Sequence, residues 1–449
     1  MTIPASLEAG FKAKFAEYTR TLDCVHCGLC IQNCPTYGVT GRESDSPRGR
    51  IYLMRGYAES DLEISPEARR HLDQCIVCRG CETVCPSGIR MGDMMESFRH
   101  EMRRTPSRRF LTRLLDRLKD AAARSILMGV LPHRARIAAL TDFLYFYDRT
   151  GLRRLFRWAA RLGSRGPAHR FFGRLSARLA GLDGLLPPIL PPSRRRIDAE
   201  AAASGGLFRA AGKARVRAAL FLGCISSEWY ADVHRATIRV LTENGCDVLV
   251  PAAQTCCGAL HRHGGHIEDA ADLYARNRDA FAEQKSDVLI VNAAGCGASL
   301  REPPHSMPEG LGLPVRDVCE FLDEIGIRTP SGEIPRKVAH HQACHLVHAQ
   351  RVQASAVENL LARIPGLSLV PLPDADRCCG AGGIYNLLHP EMAEPLQAEK
   401  VAAILGTGAE IVATGNPGCW LQIRAGLNGR GVEVLHPVEL LARAYGSRP

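Results

Sequence analysis

The chain has 449 residues, 46% of them apolar and 23% charged, with a formal net charge of +10. This is the composition of a folded protein of two to four domains, and it excludes a disordered or collagen-like chain. No apolar run reaches about 18 residues, so no membrane-spanning helix is expected.

Eighteen cysteines are not ordinary. In a short secreted chain they would form a disulfide framework. Here the opening stretch, MTIPASLEAGFKAKFAEYTR, lacks the apolar core of a secretory signal. A reducing cytoplasm is expected, where clustered thiols bind metal.

The first cysteine element is CVHCGLCIQNCP, from Cys24, and CIVCRGCETVCP, from Cys75, repeats its spacing 51 residues later. Cys24, Cys27, Cys30 and Cys34 precede Pro35; Cys75, Cys78, Cys81 and Cys85 precede Pro86. In such a run, three thiolates on a tight loop reach three irons of one cubane, and the fourth, a turn later, serves the other cluster. The spacing therefore assigns Cys24, Cys27, Cys30 and Cys85 to one [4Fe-4S] cluster, and Cys75, Cys78, Cys81 and Cys34 to a second. Zinc is commonly held by two C-x2-C pairs and has no use for the C-x3-C-P tail.

Between the two runs, Ile51, Leu53, Met54 and Tyr57 recur at helical spacing, and Ser65 with Pro66 reads as the cap and first residue of another helix. Arg48 and Arg50 either offset cluster charge or form a solvated surface pair. With its long spacer, the segment resembles the helical ferredoxin domain of fumarate-reductase-type and heterodisulfide-reductase-type iron–sulfur subunits.

From Arg103 to Arg196 the chain carries 22 Arg and Lys against 5 Asp, so about +17, which leaves the remainder at about −7. Three apolar series predict amphipathic helices: Phe110, Leu111, Leu114, Leu115 and Leu118; Leu152, Leu155, Phe156, Ala159 and Leu162; Phe171, Phe172, Leu175 and Leu179. The basic faces suit an acidic partner subunit, an anionic membrane surface, or plain solvation. No nucleic-acid motif accompanies them. LLPPILPPSRRR reads as a stiff linker, and AEAAASGGLFRAAGKA after it as a flexible one.

The C-terminal half repeats itself. Cys224 matches Cys344, Cys256–Cys257 match Cys378–Cys379, and Cys296 matches Cys419, at offsets of 120, 122 and 123 residues. Short apolar strands alternate with helices, which predicts a parallel, covered sheet in each copy. Every one of these cysteines falls just past a strand's C-terminal end, where open α/β sheets bind ligands. Four thiols per copy suffice for one further cluster each, or for one shared between the copies; buried packing is the alternative. Cys246 and Cys319 fall outside the pattern and read as core. His261, His263, His340, His341 and His345 lie near the motifs and read as hydrogen-bonded structural residues.

Two modules of Cys…Cys-Cys-Gly…Cys behind a two-cluster domain resemble the cysteine-rich-domain family, over nearly the whole chain. That family includes heterodisulfide reductase subunits, the anaerobic glycerol-3-phosphate dehydrogenase C subunit and the glycolate oxidase iron–sulfur subunit. The family pattern ends in C-x-x-C, whereas Ser299 and Gln422 stand at the last position here. This departure counts against a disulfide-cleaving cluster and looks closer to the glycolate oxidase subunit, as do HCGLCIQNCPTY, SPRGRIYLM and CETVCPSG.

The fold class that follows is α/β plus all-α. A helical ferredoxin domain is expected over 1–103, basic helices and linker over 104–212, and cysteine-rich modules over 213–330 and 335–449. Clusters move single electrons, whereas a 2-hydroxy acid gives up a hydride, which needs a flavin or nicotinamide. No Gly-x-Gly-x-x-Gly follows a strand; in CCGAGGIYN the glycines belong to the cysteine motif. The chain is therefore expected to carry no flavin and no catalytic residue of its own. Electrons are expected to come from a flavin-containing dehydrogenase subunit and to leave toward quinone or another acceptor. Glycolate is implied by the resemblance; lactate, glycerol 3-phosphate, a heterodisulfide-reductase-like catalyst and a zinc scaffold are alternatives. A cytoplasmic place, touching the inner face of the membrane peripherally, fits the charge.

Overall fold

Prolines set the starts of the N-terminal helices. Pro35–Thr40, Pro47–Glu59 and Pro66–Asp73 each begin on one, and its missing N–H has no partner in a first turn anyway. Ser65 caps the third, its Oγ accepting the Ala68 N–H at 3.1 Å, as the sequence predicts. The computed structural model describes residues 15, 17–59, 64–105, 110–155, 183, 186 and 189–446. It divides into two compact units, Met1–Ser125 with Ala259–Ala270, and Ile126–Gly258 with Ala271–Pro449.

In the first unit, Ile51, Met54, Leu72, Met94, Met95 and Phe98 form the core, with Phe15 and Tyr57 edge-on to Phe98. Helix Pro47–Glu59 lies hard against the turn Glu43–Asp45. A Cβ on Gly49 would sit 2.0 Å from the Glu43 carbonyl oxygen, so only glycine fits there. The short helix Ala259–His263 joins this unit by charge. Arg262 Nε lies 2.6 Å and His263 Nδ1 2.7 Å from the buried Glu96 carboxylate on helix Met91–Arg104. Burial raises the Glu96 pKa, but Arg262 and His263 outweigh it and hold the group at about 2. A depressed carboxylate stabilises above its unfolded pKa and loses that stability as pH falls through the folded value. Glu96→Gln is thus expected to cost about 3 kcal/mol at pH 7, and the gap to the parent should close between roughly pH 4.5 and 2. Urea midpoints against pH check this; a gap independent of pH would refute it.

The second unit holds two sheets. β1 (Leu207–Phe208), β2 (Val216–Phe221), β3 (Cys246–Leu249), β4 (Val288–Val291) and β5 (Val315–Asp317) are ordered β1-β3-β2-β4-β5. β6 (Lys337–His340), β7 (Ser368–Val370), β8 (Ile411–Ala413) and β9 (Glu433–Leu435) are ordered β7-β6-β8-β9. All pairs are parallel except β1 with β3. The strands that precede Cys224 and Cys296, β2 and β4, are neighbours, and so are β6 and β8 before Cys344 and Cys419. The chain reverses its strand order there, which makes these gaps the switch points of the sheets. One core runs through both modules and takes in Cys246 and Cys319. The Gly-Cys loops also touch: Ala294 N–H donates to the Gly415 carbonyl and Gly295 N–H to Asn416 Oδ1, at 3.0 and 3.1 Å.

Three features depart from the sequence reading. The stretch read as a flexible linker holds helix Ile197–Ala203 and the edge strand β1, because Leu207 and Phe208 find open backbone on β3. The linker arginine Arg195 is 1% exposed and pairs with Asp142 and Glu228. The basic stretch gives helices Phe110–Gly129 and Arg134–Arg149, but Leu114 and Leu118 of the first predicted apolar series and Leu152 and Leu155 of the second are exposed. Phe156, Ala159, Leu162, Phe171, Phe172, Leu175 and Leu179 lie outside the described residues. No described helix is long and apolar enough to cross a membrane.

Candidate metal centres

The two cysteine loops share an unusual backbone. His26 and Gly28 have φ of 55° and 83°; Val77 and Arg79, at the same places in the second loop, have 58° and 65°. Left-handed residues alternating with ordinary ones turn successive N–H groups inward, which makes a nest for an anion. Val77 is β-branched and costly at positive φ, so the surroundings must hold it there.

Each nest opens on a cavity. The first, about 440 Å³ with its mouth, is lined by Cys24, Cys27, Cys30 and Cys85, with Cys81 on its wall. The second, about 370 Å³, is lined by Cys34, Cys75, Cys78 and Cys81. Burial raises the Cys30 thiol, with Cys24 and Cys85 as charged neighbours. Burial raises Cys81 further, with Cys78, Cys75 and Cys34 nearby. Four converging thiols over a nest of N–H groups suit an anionic cluster.

Arg50 is not a surface residue. It is buried, with Nε donating to the His71 carbonyl at 2.8 Å, Nη1 3.9 Å from Cys34 Sγ, and Nη2 4.0 Å from Asp45 Oδ1. Arg48 stays partly exposed on the rim of the first cavity, held by Glu43 and the His26 carbonyl.

The two modules arrange their cysteines differently. In the first, the thiols follow one another: Cys256 contacts Cys224 and Cys257, and Cys257 contacts Cys296. These contacts, then burial, raise Cys256 well above the usual thiol range. In the second, Cys379 and Cys419 group with His341, their donor atoms all within 4.8 Å of one another. Cys344 and Cys378 are buried but stand outside that group; Cys344 Sγ lies 3.6 Å from His345 Nδ1. His263 and His340 are held by Glu96 and Glu358. His341 is the member of the histidine set that groups with two cysteines, which its spacing did not reveal. The available signal was position: it stands where the first module has Phe221, 120 residues earlier.

Comparison with known proteins places these features. A cysteine-rich domain model matches residues 218–301 and 338–424, and a 4Fe-4S dicluster domain model matches residues 20–89. The chain is 31% identical to the probable glycolate oxidase iron–sulfur subunit of Bacillus subtilis, over 95% of this chain and 94% of the relative. It is 30% identical to the glycolate oxidase iron–sulfur subunit of Escherichia coli, over 94% and 93%. The chain belongs to the glycolate oxidase iron–sulfur subunit family. Lactate utilization protein A of Geobacillus thermodenitrificans is 29% identical over 50% of this chain and 98% of its own length.

In this glycolate oxidase iron–sulfur subunit homologue, the positions that break the C-x-x-C ending are used otherwise. Ser299 Oγ donates to the Cys257 carbonyl at 3.0 Å, and the buried Gln422 accepts from Asn386 at 2.8 Å. Both close the loop around the cysteines by hydrogen bonds where a thiolate would stand.

Proposed function

We propose that this chain is the electron-relay subunit of a glycolate-oxidising complex, taking electrons from a flavin-containing dehydrogenase subunit and passing them toward quinone. The observation that carries the reading is the crossed pair of thiol cavities: three cysteines of each loop share a cavity with the last cysteine of the other. Cys24, Cys27, Cys30 and Cys85 would hold one [4Fe-4S] cluster, and Cys75, Cys78, Cys81 and Cys34 the other. Bound there, such clusters exchange one electron at a time. The chain's own part is to keep them close, dry and electrostatically balanced, with Arg50 against Cys34 and inward N–H groups in both loops. Cys224, Cys256, Cys257 and Cys296 supply a third cluster site in the first module.

The isolated chain should show no glycolate-dependent dye reduction, and adding a flavin-containing glycolate dehydrogenase subunit should restore it. Turnover by the chain alone would sink the proposal. The similarity to lactate utilization protein A favours a second reading, in which the complex oxidises lactate. Bleaching of the cluster absorbance by glycolate or by lactate in the assembled complex separates the two.

A further inference from the structure

We propose that segment 382–389 of the second cysteine-rich module is the docking site of the flavin-containing dehydrogenase subunit. The proposal rests on the relay reading above and gives its protein partner a surface. The internal repeat carries it. In each module a short segment joins Cys-Cys-Gly to the long helix that follows: 258–266 leads to Ile267–Ala282, and 380–389 to Pro390–Gly406. In the first module this segment is itself a docking element. Residues 259–270 belong to the compact unit of helix Met91–Arg104. Arg262 and His263 pair with Glu96 there, and Arg99 Nη1 donates to the His263 carbonyl at 2.8 Å. A Cβ on Gly265 would stand 2.7 Å from the backbone of Arg99 and His100, so segment and helix meet backbone to backbone.

In the second module the same segment faces solvent and is apolar. Ile384, Leu387 and Leu388 are 39%, 45% and 64% exposed, and the only other exposed large apolar side chain among the described residues of this module is Leu405. The patch stands on a fixed base. Tyr385 is buried with its ring 4.7 Å from that of His389, and Asn386 Nδ2 donates to Gln422 Oε1 at 2.8 Å. Apolar side chains on an ordered base lose little freedom when a partner covers them. Charge decides what kind of partner that is. Glu391 and Glu394 follow the patch at the start of helix Pro390–Gly406 and are exposed, and Arg377 is occupied by Glu399. An acidic rim in a chain of net charge +10 repels an anionic lipid surface and fits a protein face with an apolar centre and basic edges. The relay has one protein partner, its electron donor; quinone, the acceptor, is a small molecule.

Binding of the full chain to a separately purified flavin-containing glycolate dehydrogenase subunit, read by biolayer interferometry, tests the site. Leu387→Glu combined with Leu388→Glu should weaken binding roughly thirtyfold or more, mainly through faster dissociation. Glu391→Lys combined with Glu394→Lys should slow association and reduce its dependence on salt. Phe143→Glu combined with Phe146→Glu, on the exposed face of helix Arg134–Arg149, should leave the affinity within about twofold of the parent. All of these side chains are exposed, so iron content and urea midpoint should match the parent and show that each variant is folded. Parent-like binding by the leucine variant, or loss of binding in the phenylalanine variant in its place, would overturn the proposal. So would a leucine variant that loses sedimentation with phosphatidylglycerol vesicles and keeps the subunit, since the patch would then face lipid. A parent chain that binds the subunit through these leucines without bleaching of its cluster absorbance by glycolate or by lactate would sink the relay reading and leave the docking site standing. A parent chain that does not bind the subunit would sink both.

Discussion

Cys34→Ser is expected to remove the cluster of the opposite loop and to leave that of its own. Cys34 closes the first cysteine run, yet it lines the cavity of Cys75, Cys78 and Cys81. Its Sγ is buried against Thr36 Oγ1 at 3.2 Å and faces the Asp45 carbonyl, pointing away from Cys24, Cys27 and Cys30. A serine hydroxyl in its place is a poor iron ligand, so iron should fall by about four per chain. The residual reduced EPR spectrum should match that of Cys78→Ser. Cys85→Ser should likewise match Cys27→Ser. Uncrossed ligation predicts the opposite pairing, Cys34 with Cys27, and that outcome would refute the assignment.

Arg50→Met should be the most costly change that touches no cysteine. The guanidinium is 1% exposed and stands between the Asp45 carboxylate and the Cys34 thiol. Removing one partner of a buried charge pair leaves the other uncompensated, which costs about 3–5 kcal/mol. His71, 2.7 Å from Asp45 Oδ1, remains to soften the loss. Taking a cation and an N–H donor away from Cys34 should also lower the reduction potential of the cluster it serves. Urea midpoints and redox titration read the two effects. An unchanged midpoint would mean that Arg50 only fills space.

Much of the site was legible because covalent spacing carries it. The eight N-terminal thiols announce two clusters by their intervals alone, and the structure puts each set of three beside the last cysteine of the other run. The strand–cysteine–helix rhythm of the C-terminal half likewise follows from apolar runs and the 120-residue repeat. Burial was less legible. Arg50 and Arg195 look like any surface arginine, because partners such as the His71 carbonyl and the Glu228 carboxylate lie 21 and 33 residues on, where no local pattern encodes them. The segment around Leu207 looked flexible for the same reason: its partner, β3, lies some 40 residues on.

By itself the sequence determined the chemistry on offer: how many thiols, in what groups, at which strand ends. These depend on local geometry, where a few residues set reach and direction. Tertiary structure alone decided how the thiols are shared. Only the folded chain separates the first module's row of Cys224, Cys256, Cys257 and Cys296 from the second module's tight group with His341. The two modules carry the same cysteine motif, so the motif could not tell them apart. One difference lies at the end of a strand, where the buried Phe221 stands in one and the buried His341 in the other. Whether such a side chain packs or ligates is settled by what the opposite strand end brings within reach.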